Sequence, residues 1–524
     1  MTDVVTKVDP LLTEVDPLLP GATRAARAWP REALAIILAG FVLRTLGFLS
    51  NRSLWLDEAY LALNIMERDF RGLLEPLSYA QTAPVGFLFL EEGATLLLGN
   101  GERALRLVPL LASLAALPLF WLLARRCLPR GEALVCLGFF AILSPQVYYA
   151  SEVKQYSLDV AVALVLLLCA VSVLQDDGFR VGRYVLLAVL GAAAVWLSHP
   201  VVFVLAGIGS ALFLSAGDAR RRKAMAAAIG VWAVCFLANY LLFLRGIREE
   251  SNLHVLWQER FLAWPTSPGA VERNVELLLE PFRQMLGFAE SGLPALVFVV
   301  GLVALWQRDR RLAWLLAASF LPALLASLLR LYPFASRPIL FLSPLFLLFM
   351  AAGFGHFWRL PVRNARLVGA VLLLLLLFGP AVSAARHLRY PPQREEMRAV
   401  VRYVAQHLEP GDTVWVNHRG QYAFWYYVRY GGYSKVASHN PIIGRGTDGT
   451  KKTPRILAEM RSLAGRRRVW VVFSAQPKGE DRIDARALAV SLLDGLGTKL
   501  DKIEVAGAHA YLYDLSRAAP VAAR

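Results

Sequence analysis

Apolar residues fill the first three quarters of the chain in long blocks, interrupted only by short polar clusters. Most blocks approach the roughly 20 residues that a helix needs to cross a bilayer. The pattern predicts eleven membrane-spanning helices, near 33–49, 104–124, 132–147, 157–174, 184–198, 200–216, 224–244, 292–306, 312–329, 338–357 and 367–385. Only His199-Pro200 divides the pair at 184–216, which reads as a tight turn. Another apolar stretch, 84–98, carries Glu91-Glu92 in its middle and is expected to lie along the membrane interface. From residue 386 the periodicity changes. A helix is expected over 397–408, strands at 413–416 and 469–473, a helix near 485–496, and strands near 503–505 and 511–513. That order predicts a small α/β domain.

Composition supports a membrane protein. The 524 residues are 56% hydrophobic and only 18% charged, with a mean hydropathy of +0.47, whereas a soluble domain carries about 25% charged residues. A soluble enzyme, a disordered chain and a fibrous repeat are excluded. The four cysteines (Cys127, Cys136, Cys169 and Cys235) lie in or beside apolar runs and give neither a disulfide framework nor a metal-binding spacing.

The net charge of +16 is explained by where the basic residues sit. Lys7, Arg24, Arg27 and Arg31 precede the first span. Arg125-Arg126, Arg180 with Arg183, Arg220 to Lys223, Arg308 to Arg311, and Arg359 with Arg363 follow every second span, and the intervening short loops carry almost no Lys or Arg. The positive-inside rule places these loops and the amino terminus in the cytoplasm and the carboxy terminus outside the cytoplasmic (inner) membrane. The charge is thus a topological signal, with no nucleic-acid partner implied. The polar start reads as a cytoplasmic tail, 1–32, and not as a signal peptide. The expected organisation is this tail, a membrane unit at 33–385 with outer loops 50–103 and 245–291, and an extracytoplasmic domain at 386–524. That last segment holds 23 Lys and Arg against 13 Asp and Glu, a surface suited either to anionic lipid headgroups or simply to water.

Ionisable residues are scarce within the spans and gather at their outer ends. This suits an enzyme working at the interface better than a transporter, which places such groups near mid-membrane. The first outer loop opens Leu54-Trp-Leu-Asp-Glu-Ala-Tyr60. Asp57-Glu58 is either a catalytic carboxylate pair or the acidic start of a helix, and Trp55 and Tyr60 flank it at interfacial depth. The second outer loop, 144–159, places Glu152, Lys154 and three tyrosines (Tyr148, Tyr149 and Tyr156) within a few residues of one another. If it starts a helix, Glu152 and Tyr156 share a face. The alternative is an interfacial tyrosine cluster with a snorkelling lysine. Arg44 inside the first span either snorkels or meets an anion, Arg337 heads the tenth span, and His199 marks the turn at 198–200.

The order of these pieces resembles the polyprenyl-phosphate-sugar glycosyltransferases of the GT-C superfold, in particular the protein mannosyltransferase and lipid A aminoarabinose transferase-like group. One span precedes a loop opening with Asp-Glu, a Pro-led interfacial helix follows, and Ala104-Leu-Arg-Leu-Val-Pro109 leads into the second span. Tyr148-Tyr-Ala-Ser-Glu-Val-Lys-Gln-Tyr156 and the Arg337-Pro338 entry to a late span complete the pattern. The resemblance covers residues 40 to about 350, and the stretches at 395–412 and 421–427 resemble the soluble tail of some bacterial members.

The resemblance implies a lipid-linked donor and an inverting transfer to a cell-envelope lipid, glycan or protein outside the cytoplasmic membrane. It makes Asp57 the general base and Glu152 the second acidic position, with Glu58 beside the base. Trp55, Tyr60, Gln81, Tyr149, Tyr156 and His199 are the expected substrate-binding residues. Gln81-Thr-Ala-Pro84 departs from the family's His-Pro-Pro or Lys-Pro-Pro, so Lys154, Arg337 or Arg44 is expected to meet the donor phosphate. No metal or other cofactor is expected, because a monophosphate leaving group does not require one. Competing readings are an oligosaccharyltransferase or ligase with a pyrophosphate-linked donor, and a non-catalytic flippase or scaffold for the same lipids.

Overall fold

A computed structural model describes residues 29–245, 257–445, 452–474 and 484–517. The expected cytoplasmic tail therefore lies almost wholly outside the described residues, as does the stretch 246–256 of the second long loop.

Each expected span falls on a helix, but the count of eleven full-length spans is not reproduced. Seven helices among the described residues are long and apolar enough to cross a membrane, and a bent pair would make eight. The bent pair, Arg130–Ile142 and Ser144–Ser151, turns by 54° at Leu143-Ser144-Pro145, where proline lacks an amide and disfavours helix before it. Val181–Leu197, Val201–Leu214 and Gly292–Arg308 are apolar but shorter. Seventeen helical residues rise only about 25 Å, less than the roughly 30 Å hydrocarbon core.

The elements that position the site are α1 (Arg31–Leu49), α2 (Leu56–Met66), α3 (Val85–Leu98), α4 (Leu107–Cys127), α5 (Arg130–Ile142), α6 (Tyr156–Leu174), α7 (Gly292–Arg308), α8 (Ser343–Arg359) and α9 (Ala365–Arg389). Helix α8 is the central post. Every residue from Ser343 to Gly355 is buried, whereas α9 presents Leu367, Leu374 and Phe378 outward. Helices α7 and α8 cross at glycine. A Cβ on Gly301 would meet the Phe349 carbonyl at 1.7 Å, and one on Gly353 the Val297 carbonyl at 2.2 Å. Small residues of this kind let helix backbones approach closely when water supplies no driving force.

The basic ends of the helices meet at one end of the bundle. Glu132 pairs with Arg308 at the end of α7 and with Arg359 at the end of α8, while Arg130 pairs with Glu32 at the start of α1. The opposite end carries α2, α3 and the terminal domain.

The terminal domain folds around a five-stranded sheet of order β2-β1-β3-β5-β4. Its strands are β1 (Thr413–Val416), β2 (Ile442–Ile443), β3 (Val469–Ser474), β4 (Thr498–Val505) and β5 (Ala508–Asp514). Strand β1 runs parallel to β2 and β3, and β5 pairs antiparallel with both β3 and β4. Strand β3 is buried along its whole length, and its uninterrupted Val469-Trp-Val-Val-Phe473 run suits a strand covered on both faces. Helices α10 (Met397–His407) and α11 (Gln421–Tyr430) join this sheet to the membrane unit, with α11 packed against α2. Their apolar sides share one core with Ala59, Leu61, Ala62 and Leu63 of α2.

Candidate active site

Trp55 caps α2, so Asp57 and Glu58 fall in the first turn of the helix, where unpaired amides and the helix dipole favour negative charge. The two carboxylates then part. Glu58 turns inward and is fully buried. It receives Arg106 at 2.7 and 2.9 Å and the Val153 amide at 2.9 Å, and it reaches back to the Trp55 amide at 3.5 Å. Asp57 turns toward the cleft and pairs with Arg337 at 2.5 Å, both side chains remaining 21% exposed. Burial raises the Asp57 pKa, but Lys154, Arg337 and Arg394 outweigh it and hold the carboxyl below its ordinary value.

Glu152 does not share a helical face with Tyr156, contrary to expectation. Residues 152–155 form a bend and the helix begins at Tyr156. The Val153 amide is taken by Glu58, and Lys154 N donates to the Glu152 carbonyl at 2.7 Å, so neither amide is free for a helical bond. The bend leaves the Glu152 carboxylate fully buried, with both oxygens lacking a hydrogen-bond partner. Burial and the neighbouring Glu58 push its pKa up, opposed by Arg52, Arg394 and Arg337.

Lys154 is almost wholly buried and donates to Gln81 Oε1 at 2.6 Å. Burial lowers its pKa and Asp57 works against that. Gln81 thus holds the lysine in place beside Asp57. Two consecutive residues with left-handed backbone, Tyr79 (φ 66°) and Ala80 (φ 50°), deliver Gln81, and strain in non-glycine residues of this kind clusters at functional sites.

Aromatic rings wall the cleft. Arg337 lies 5.6 Å from the Trp55 ring and 6.0 Å from Tyr156, and Tyr149 meets Tyr156 edge-on at 5.2 Å. Tyr60 joins Tyr79 at 5.6 Å and Tyr422, from α11, at 4.5 Å.

Two expected residues stand apart. Arg44 is buried inside the bundle, where it bonds to Ser113 and to the carbonyls of Gly40, Phe140 and Ala141; it ties α1 to α4 and α5 and has no guanidinium edge free for a phosphate. His199 sits in its turn, where burial alone lowers its pKa to about 4 and leaves it neutral.

The sequence pattern missed Arg394 and Glu395, which arrive between α9 and α10. The Arg394 guanidinium lies 4.2 Å from the Trp55 ring and 4.7 Å from that of Tyr148. Glu395 Oε2 accepts from the Leu56 amide and from Ser474 Oγ, both at 3.2 Å. Burial raises its pKa to about 7. A second adjacent acidic pair, Glu395-Glu396, was the available signal.

The cleft thus sets one carboxylate, Asp57, against Lys154, Arg337 and Arg394 at the end of the helical bundle that carries the terminal domain. Residues 81–242 match the dolichyl-phosphate-mannose-protein mannosyltransferase family. No curated protein matches the chain by sequence. Among solved structures, ArnT from Cupriavidus metallidurans in the apo state aligns with a TM-score of 0.52 at 16% identity, over 93% of this chain and 99% of that one. The same protein bound to undecaprenyl phosphate gives 0.54 at 15%, over 94% and 98%. An Archaeoglobus fulgidus oligosaccharyltransferase in complex with Zn and sulfate gives 0.51 at 12%, over 84% and 67%. These likenesses show that the chain shares the fold of those structures.

Proposed function

We propose that the protein transfers a sugar from a polyprenyl-phosphate carrier to a cell-envelope acceptor on the outer face of the cytoplasmic membrane, with inversion. The observation that carries the reading is Asp57, aimed into a cleft where Lys154, Arg337 and Arg394 act on it together. The acceptor oxygen attacks the anomeric carbon opposite the phosphate. Its proton passes to Asp57, the bond from the anomeric carbon to the phosphate oxygen breaks, and the electron pair leaves on the phosphate. The three cations stabilise the charge that develops there.

The Asp57–Arg337 pair suggests an order of events. Before the donor binds, Arg337 neutralises Asp57 and keeps it a poor base. A phosphate competing for Arg337 loosens that hold as the substrate arrives. Glu58, locked on Arg106, is read as structural, and Glu152 as a polar wall of the cleft. Catalysis without a metal is part of the proposal, since side chains already supply the positive charge. Chelator-sensitive transfer would favour the pyrophosphate-donor reading instead.

The test compares envelope glycolipids and glycoproteins by mass spectrometry in cells with the gene, without it, and with Asp57→Asn. A sugar mass should disappear in the second and third strains, and purified Asp57→Asn protein should turn over about 10²-fold more slowly. Wild-type turnover by the variant would remove Asp57 from the mechanism.

A further inference from the structure

We propose that the terminal domain is a working part of the transfer site: Glu395, helped by Tyr427 and Glu396, grips the backbone of residues 53–56 and so aims Asp57. The inference rests on the reading of Asp57 as the base. The amides just before and at the start of a helix have no partner within it and need one from elsewhere. Here three of four consecutive amides find it in the terminal domain. Ser53 N donates to Glu396 Oε1 at 3.4 Å, Leu54 N to the Tyr427 hydroxyl at 2.7 Å, and Leu56 N to Glu395 Oε2 at 3.2 Å. Trp55 N alone is served locally, by Glu58. Ser53 Oγ adds a bond to Glu396 Oε2 at 2.8 Å. Leu56 is the first residue of α2 and Asp57 the second, so the grip ends one peptide from the base.

The gripping segment is itself held from behind. Glu396 N donates to the Ala506 carbonyl at 2.8 Å, at the tip of the β4–β5 hairpin. Gly507 in that tip has a left-handed φ of 64°, and a Cβ there would stand 1.8 Å from the Arg394 carbonyl. Ser474 Oγ, at the end of β3, bonds Glu395 at 3.2 Å, and Tyr427 is buried on α11. Sheet, hairpin and helix thus converge on four peptides of the first loop. Glu395 is a positioning residue. It meets the base through the backbone, and a displacement of about 1 Å at such a site is enough to cost on the order of 10²-fold in rate.

The test uses full-length protein in nanodiscs, with membranes of a deletion strain as the source of donor and acceptor. Two readouts are taken: sugar transfer, resolved into kcat and donor KM, and hydrogen–deuterium exchange of the peptide spanning 50–60. Glu395→Ala should lower kcat 10- to 100-fold with donor KM within twofold, and should speed exchange in that peptide. Glu395→Gln, whose amide oxygen can accept both bonds, should recover most of both. Gly507→Ala, which touches none of residues 53–56, should shift both readouts in the direction of Glu395→Ala. Unchanged kcat and exchange in Glu395→Ala would overturn the proposal. So would a Gln variant as slow as the Ala variant with wild-type exchange, since the carboxylate would then act on substrate directly. Full activity in Asp57→Asn would instead sink the base assignment, while the exchange data still report on the grip.

Discussion

At the scale of single residues, adjacent carboxylates of one helical turn have opposite surroundings, and their substitutions should separate. Glu58→Gln leaves Arg106 buried without its counter-ion. Breaking a buried pair costs about 3–5 kcal/mol, so the expected result is a lower melting temperature and yield, with near-normal turnover per folded molecule. The phosphate contacts grade in the same way. Removing a charge-assisted contact costs about 1.5–3 kcal/mol, so if the donor is the proposed polyprenyl phosphate, Lys154→Ala or Arg337→Ala should weaken its binding roughly tenfold or more. Gln81→Ala, which only frees Lys154, should weaken it by a few-fold; equal losses for Gln81 and Lys154 in a binding titration would mean that Gln81 meets the phosphate itself. Glu395 makes a pH signature. Arg419, Asp57 and Ser474 surround it, and its pKa stands near 7 against an ordinary 4.5. The unfolded chain therefore releases this proton first, and stability falls as pH rises from about 4.5 through 7. Glu395→Gln cannot ionise, so its melting temperature should exceed the wild type's by a margin that grows over that window and levels off above it. A margin independent of pH would assign the effect to something other than ionisation.

At the scale of elements, helix placement was legible in the sequence because apolar blocks and helix-breaking dipeptides are local signals. His199-Pro200 marks a break that the chain makes, whereas the expected span at 132–147 ran through Ser144-Pro145, where the helix bends. The length of a helix was less legible, since apolar residues continue past points where the helix ends or bends. The strands at 413–416 and 469–473 were visible as buried β-branched runs, and the second extends one residue further, to Ser474. The gathering of Arg394 and Glu395 beside Asp57 was not, because it depends on how two distant segments dock. The α7–α8 crossing is another such tertiary feature. Gly301→Ala would drive a methyl group into the Phe349 carbonyl, and the central helix α8 has no space in which to retreat. The expected outcome is loss of the monodisperse protein peak after detergent extraction. Gly138→Ala, whose Cβ meets nothing within 4 Å, is the control and should leave the peak intact.

At the scale of the whole molecule, the ion pairs at one end and the cleft at the other give the charge asymmetry of the sequence a three-dimensional form. Glu132 draws together Arg308 and Arg359 from the ends of α7 and α8. Arg221 reaches the carbonyl of Asp177, so the run at 220–223 lies beside the loop at 176–183. These arginines belong to different loops, yet they collect on one face of the bundle, the face that the positive-inside rule expects in the cytoplasm. The terminal domain docks on the other end through Glu395, Glu396 and Tyr427, so the loop that opens with residues 53–56 and that domain must share one compartment. A periplasmic-active reporter fused after Arg524 should therefore be active, and the same reporter fused after Arg222 should be silent, with a cytoplasm-active reporter giving the reverse pattern. The cleft follows the terminal domain, so this pair of fusions also locates the chemistry. Should both fusions report the same side, the terminal domain and the basic loops could not occupy opposite ends of one membrane-spanning bundle. The outer-face assignment of Asp57 would fall with that result.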